Sequence, residues 1–568
     1  MKQTIEQAVQ AACAELFDIT IDAELTRPEE KFGDYATNVA LRMSKQLGRS
    51  PRELAEQLAT KLRQTLGEAV TDVSIAGPGF LNVTLSDAAL QDSVAARSVS
   101  RTTADHSVVI ETNNPNPFKA MHIGHAFNAI VADAIANLID AGGVAVWRVS
   151  YHGDVGAHVG KSMYSLLSYV GDDIQRLLDI PETERNSFMS KMYAEGAQAY
   201  KQDEQAQADI DRLAQQSFVL DDPVYKQVYE TCKQWSFDQI DHIVEQLGNK
   251  PIVRRYLESE ADALGVQTVR EHVPDVFQES NGALIFQGSN YGTFDNVFVS
   301  RSGRGLYGAR DIGLMQLKHR DYPAASKSYI VTAEEQRDYF KGVIKAAELC
   351  LPELDGFTVN ISTGTVKLST GKMSSRTGDV IEIGWLFDKI SEAVLARGGE
   401  AASDVVAGAL RYQFLKVRVG SDVTFDIAEA VSLQGNSGPY LQYAHARARS
   451  ILAKAASEGA GEAVSTGDGN QPDHTDTLPA DGFEPGERSL LRKISEYPEV
   501  VDKAVADLMP HYICTYLYEL AQTFNSFYEH NRVIGDPRQA VRLQLAERYA
   551  DTLRDGLTLL GITAPERM

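Results

Sequence analysis

The stretch from Ser107 to Val149 restricts the possible folds of this chain more than any other segment. A strand-like run, Ser107 to Glu111, passes through the turn-rich Thr112 to Pro117 into a helix whose apolar residues fall at Phe127, Ile130, Val131, Ala134, Ile135, Leu138 and Ile139. That spacing is helical, and Gly142-Gly143 closes the helix before a second apolar run, Val144 to Val149. Strand, helix and strand in this order predict a right-handed crossover and a parallel sheet that takes ligands at the carboxyl ends of its strands. No GxGxxG follows the first strand, so a dinucleotide site has little support.

The entrance to the helix reads His122-Ile123-Gly124-His125. Two imidazoles three residues apart share one face of a first helical turn, and the glycine between them lets an adenine ring or a phosphate approach the backbone. The helix N-terminus adds its own preference for negative charge. Far downstream, Lys372-Met373-Ser374-Ser375-Arg376 lies between Gly371 and Gly378. One ammonium, two hydroxyls and one guanidinium within five residues can close over a departing pyrophosphate. Taken singly, the two motifs describe a capped helix and a solvated basic turn. Together, in this order, they can hold both ends of one ATP.

At 568 residues the chain exceeds one core, and three to four units are expected. We place a small α+β unit at 1–97, a Rossmann-like parallel-sheet unit at 98–400 with a polar helical insertion near 173–250, and an all-helical bundle at 401–568. In the first unit a helix spans Ile5 to Leu16, a long one runs from about Ala36 to Leu66, and Val73 to Ile75 and Phe80 to Val83 are strands. Ser328 to Val331 resumes the parallel sheet, and after Asp379 only helices are expected, including one over Leu490 to Leu508. There is no apolar run of about 18 residues and no charged-then-apolar leader, which predicts no membrane span and a cytoplasmic site. Cys13, Cys232, Cys350 and Cys514 are isolated from one another and suggest no zinc site. A net charge of 55 − 78 = −23 argues against indiscriminate coating of nucleic acid, while leaving room for a local, shape-selective RNA surface.

The two motifs resemble those of the class I aminoacyl-tRNA synthetases, and the rest of the chain resembles the arginyl-tRNA synthetases within them. Asn114-Pro115-Asn116-Pro117-Phe118-Lys119-Ala120-Met121-His122 is similar to the arginine-specific turn, with Ala120 for the usual proline. Gly153-Asp154-Val155-Gly156, Leu306 to Ile312 and Gly435 to Arg447 carry further matches, with Val155, His158 and Ala309 as departures. The resemblance implies ATP-dependent activation of L-arginine, with magnesium carried on the phosphates and no metal bound by the protein, then transfer to the terminal adenosine of tRNA(Arg) by a monomer. It implies catalytic roles for His122, Gly124, His125, Lys372, Ser374 and Ser375, joined at ATP by Asn114, Lys119 and Met373. Glu111, Asn116, Tyr307, Asp311, Gln336 and Glu258 would bind arginine, since carboxylates accept a guanidinium fork. Phe32, in Lys31-Phe32-Gly33-Asp34-Tyr35-Ala36, would touch the tRNA elbow, and Tyr440, Tyr443, Tyr528 and Met568 its anticodon. The helical C-terminal region disfavours a small HxGH nucleotidyltransferase, the absence of zinc-type cysteines disfavours cysteine-specific relatives, and the intact His122, His125, Lys372 and Asp311 disfavour a non-catalytic paralogue.

Overall fold

The computed structural model describes residues 1–95, 104–369, 381–398, 402–459, 479 and 481–568. At its centre is the expected parallel sheet. Five strands lie in the order Thr358–Thr363, Ala325–Ala333, Ser107–Asn113, Ala145–His152 and Arg254–Leu257. Every pairing between them is parallel. The helix Ile123–Ala141 returns the chain from the first strand to its neighbour and is almost wholly buried, as its apolar spacing predicts. Its Asp133 is the centre of a buried ionic group. One carboxylate oxygen accepts from Arg148 Nε at 3.4 Å and the other from Arg411 at 2.7 Å. Arg411, from the C-terminal helix Ser403–Leu415, also donates to the carbonyls of Leu560 and Leu247 and to Asn249 Oδ1. This one guanidinium therefore joins the first helix of the sheet unit, the end of the insertion and the end of the bundle.

The insertion consists of Gln175–Leu178, Glu182–Gln202, Glu204–Gln216 and Pro223–Gln246. It packs on the helix Ala157–Val170 over a core that includes Met163, Leu166, Met192, Tyr229 and Trp235. A three-stranded antiparallel sheet, Phe277–Ser280, Ala283–Phe286 and Asn296–Val299, was not apparent from sequence. It sits between the helices Glu258–Glu271 and Tyr307–Asp321 in chain order. Those two helices cross backbone to backbone: a Cβ built on Gly265 would fall 1.8 Å from the Ala309 carbonyl oxygen, and one on Gly313 2.1 Å from that of Ala261.

Three sequence expectations require correction. The long N-terminal helix is two, Val39–Leu47 and Pro51–Leu66, because Gly48 ends the first at φ +62° and Pro51 starts the second. Leu490 to Leu508 likewise divides into Pro485–Ser495 and Tyr497–Asp507, with Pro498 at the start of the second. The region after Asp379 is not purely helical, since Val423–Phe425 pairs in parallel with Val366–Leu368. No helix among the described residues is long and apolar enough to cross a membrane.

The N-terminal unit docks on the bundle through the Lys31–Ala36 segment. Asp34 is fully buried, accepts from Arg488 at 2.8 Å and pairs with Arg492 at 3.2 Å, while the Tyr35 hydroxyl donates to Glu499 at 2.7 Å. Phe32 stays 45% exposed with Lys31 above its ring.

Candidate active site

A cleft of about 680 Å³ opens where all five parallel strands end, lined in turn by Asn113, Gly153, Glu258, Ala333 and Gly364. His122, Gly124, His125, Asn114 and Lys119 border it, as do Glu111, Asn116, Tyr307, Asp311, Gln336 and Glu258. The structure thus gathers every described residue expected at ATP or at arginine into one space. Lys372, Met373, Ser374 and Ser375 lie outside the described residues. The chain on either side of them is at the cleft: Thr365 and Val366 line it, and Ile381 accepts a hydrogen bond from Ile123 N at 2.9 Å.

His122 caps the helix. Its Nδ1 accepts from the backbone N–H of His125, and His125 Nδ1 accepts from that of His122, both at 3.4 Å. The rings stack with centroids 3.6 Å apart. With both Nδ1 atoms accepting, the proton of each neutral ring sits on Nε2. Burial, reinforced by Lys119, lowers His122 to about 4, and burial beside His122 holds His125 well below the usual histidine range. The pair is therefore two neutral donors, not two cations. Gly124 has a packing reason as well as the ligand-access reason, since a Cβ there would lie 3.2 Å from the His122 ring.

The turn before the helix is anchored from the insertion. Phe118 adopts φ +67°, unusual for a bulky residue, and is fully buried against Tyr229 at 5.4 Å between centroids. Its N–H donates to Ser236 Oγ and its carbonyl accepts from Ser162. Asn116 Oδ1 accepts from Gly153 N at 2.8 Å, and His158, a departure from the family pattern, donates to the Gly153 carbonyl at 2.7 Å. A Cβ on Gly153 would meet Glu258 Oε1 at 2.8 Å and Asn116 Oδ1 at 3.0 Å, so a side chain there would displace the ends of two cleft residues. The other departures, Val155 and Ala309, are buried in the packing.

At the opposite end, three carboxylates have distinct environments. Glu111 accepts from the buried ammonium of Lys318 at 2.6 Å and from Asn114 at 2.6 Å. Glu258 accepts from Arg310 at 2.7 Å, and Arg310 continues to Asp262 at 3.0 Å. Arg310 therefore pairs away from its neighbour Asp311. Asp311 Oδ2 accepts from the Tyr339 hydroxyl at 2.6 Å, and its other oxygen takes no hydrogen bond among the described residues. Burial raises Asp311 to about 7, against the pull of Tyr339 and Lys318. Of Glu111, Glu258 and Asp311, it is the one that pairs with no cation among the described residues. Tyr307, one turn earlier, stands 66% exposed at the cleft's edge. Lys318, Arg310, Tyr339 and Tyr151 were missed by sequence reasoning. Only Arg310 had a visible signal, as the basic residue beside Asp311. Among the described residues no group of three or more His, Cys, Asp or Glu side chains is gathered to hold a metal ion.

In the bundle, Tyr443 is 41% and Met568 52% exposed. Tyr440 is more engaged, its hydroxyl accepting from Asn525 at 2.9 Å. Arg447 covers the Tyr528 ring at 4.8 Å. His445 binds the Pro565 carbonyl at 2.8 Å, which lays the chain end along the helix that carries Tyr440 and Tyr443.

Residues 1–85 match the family model of the arginyl tRNA synthetase N terminal domain, 86–419 that of the tRNA synthetases class I (R) catalytic domain, and 441–568 that of the DALR anticodon binding domain. A protein of Frankia casuarinae named arginine–tRNA ligase is 30% identical, covering 99% of this chain and 98% of its own length. One of the same name from Limosilactobacillus fermentum is 29% identical over the full length of both. The solved arginyl-tRNA synthetase of Thermus thermophilus superposes with a TM-score of 0.76 at 24% identity over 100% of both chains. That of Plasmodium falciparum gives 0.76 at 19%, over 100% of this chain and 99% of that one. These likenesses bear on the fold.

Proposed function

Because the chain belongs to the arginyl-tRNA synthetase family of class I, we propose that its cleft holds ATP at the histidine end and arginine at the Asp311 end, with the α-phosphate between them. The protein is an arginine–tRNA ligase: it uses ATP to activate arginine and charges tRNA with it. The observation that carries the residue assignment is the single cleft bordered by two neutral Nε2–H donors on one side and a cation-seeking carboxylate on the other.

In this reading His122 and His125 donate their Nε2–H groups to phosphate oxygens. Gly124 leaves the adenosine access, with Asn114 and Lys119 beside it. Asn116 and Gln336 orient the α-ammonium and carboxylate of arginine, and Tyr307 and Asp311 take the guanidinium. Glu258 and Glu111, already paired with Arg310 and Lys318, hold the negative field steady around the ligand. No covalent nucleophile is needed, because in-line attack by the arginine carboxylate on the α-phosphorus is a matter of positioning and charge stabilisation. Magnesium would ride on the phosphates, since Glu111, Glu258 and Asp311 are engaged by Lys318, Arg310 and Tyr339. Phe32, Tyr443, Tyr440, Tyr528 and Met568 supply tRNA contacts across units bounded at 1–97, 98–400 and 401–568, in a cytoplasmic monomer.

Pyrophosphate exchange assayed with each of the twenty amino acids, with and without tRNA, tests the reading. Exchange confined to arginine supports it; exchange with another amino acid, or with none under either condition, refutes it. Lys372→Ala is expected to slow exchange about a hundredfold while leaving arginine affinity nearly unchanged, as a contact made only in the transition state would. Equal losses in rate and affinity would remove Lys372 from that role. A pH dependence follows from Asp311. Its value near 7 in the free protein means that arginine, a cation, binds the ionised form and must displace a proton below that pH. Affinity measured by calorimetry is expected to be full above pH 7 and to fall about tenfold per unit below it. A flat profile between pH 8 and 5 contradicts the assignment.

A further inference from the structure

Tyr151 holds a hydroxyl that none of the described residues engages. The residue lies on the second strand, Ala145–His152, where side chains alternate between faces. His152 points to Pro115 and Phe237. Tyr151 points the other way, into the cleft, and packs beside the core of the helices that carry Glu258 and Asp311. Its backbone N–H is held by Asn114 at 2.9 Å, which fixes where the ring begins. The hydroxyl is sealed from solvent and has no hydrogen-bond partner among the described residues. Asp311 and Glu258 are the two carboxylates whose charges act on it most strongly, so it sits in the field of the group expected to receive the guanidinium. Burying a hydroxyl unpaired costs free energy, and phenylalanine would fill the same space without that cost.

We infer that Tyr151 is a specificity-determining residue whose hydroxyl binds the substrate guanidinium, accepting one of its N–H groups and turning its own O–H toward the neighbouring carboxylates. A guanidinium presents five N–H donors in a plane, more than the open oxygen of Asp311 and the Tyr307 hydroxyl can receive. The tyrosine oxygen supplies a further acceptor, carried by the second strand and not by the helix that carries Asp311. A lysine ammonium, a compact point charge, does not present the planar fork of donors that such spread acceptors match. The inference rests on the guanidinium lying at Asp311, as proposed above.

Tyr151→Phe in the full-length protein is the test, with L-arginine and ATP as the probes. Arginine affinity by calorimetry is expected to fall about tenfold or more, with the maximal exchange rate and ATP affinity unchanged. The unliganded variant is expected to melt no lower than the parent, because the hydroxyl removed had no partner to lose. Unchanged arginine affinity overturns the inference. A lowered melting temperature with arginine and ATP affinities falling together also overturns it, since the hydroxyl would then be structural. Asp311→Asn, assayed alongside, separates the two claims. If it weakens arginine and Tyr151→Phe does not, only the role of Tyr151 fails; if Asp311→Asn also leaves arginine binding intact, the placement of the guanidinium fails with it.

Discussion

Asp311→Asn is expected to weaken arginine binding about a hundredfold or more, the range found when one partner of a buried, hydrogen-bonded charge pair is neutralised. ATP affinity should stay within about twofold, because the histidine end of the cleft is untouched. The substitution is isosteric, and the Tyr339 hydroxyl keeps an oxygen to donate to. Folding should not suffer. The folded-state value of Asp311 is raised, so the carboxyl favours the fold in its protonated form, a contribution present in acid and lost as pH rises toward 7. An amide at this position stays neutral throughout, so the variant should melt no lower than the parent at pH 8 and should lose the pH dependence of arginine binding. Unaltered arginine affinity, or a parallel loss for ATP, would show that Asp311 does not receive the substrate cation.

The second large effect is expected far from the cleft. Arg411→Ala leaves Asp133 charged and fully buried, with Arg148 at 3.4 Å as its remaining cation and the Lys250 N–H at 3.1 Å as a neutral donor. It also strips partners from the carbonyls of Leu560 and Leu247. Removing one partner of a buried ion pair costs about 3–5 kcal/mol, enough to lower the urea midpoint clearly and to bring forward the loss of protection of the Ile123–Ala141 helix in amide exchange. Asp133→Asn combined with Arg411→Met should recover part of the loss, because the stranded charge is gone. A single variant that unfolds at the parent's urea concentration would show that the guanidinium is not what joins the three units.

Regular spacing made much of the fold readable. The apolar residues at Phe127 to Ile139 repeat with a helical period, and the strands on either side have turn residues at their ends, so the parallel sheet and the place of its cleft follow from local pattern. The capped turn from His122 to His125 was legible for the same reason, since it lies within one helical turn, whereas the expectation for Tyr307 with Asp311 came from the family resemblance and not from their spacing. What escaped is non-local. Lys318 meets Glu111 across 207 positions, and nothing near either residue announces it. The antiparallel sheet over 277–299 is built from four-residue strands too short for periodicity to mark. Val423–Phe425 becomes a strand only because Val366–Leu368 lies beside it. The break at Gly48 and Pro51 was written in the residues, and the apolar period running through it obscured it.

Phe118 shows where the turn before the Ile123–Ala141 helix gets its register. The insertion contributes no side chain to the lining of the cleft, yet the ring seated on Tyr229 is the fixed point from which Asn116 and Lys119 are suspended. Tolerance to exchange within that helical appendage should accordingly follow proximity to the aromatic seat, not proximity to the reactants. A designer who trimmed it as ornament would be removing the datum against which the turn is aligned.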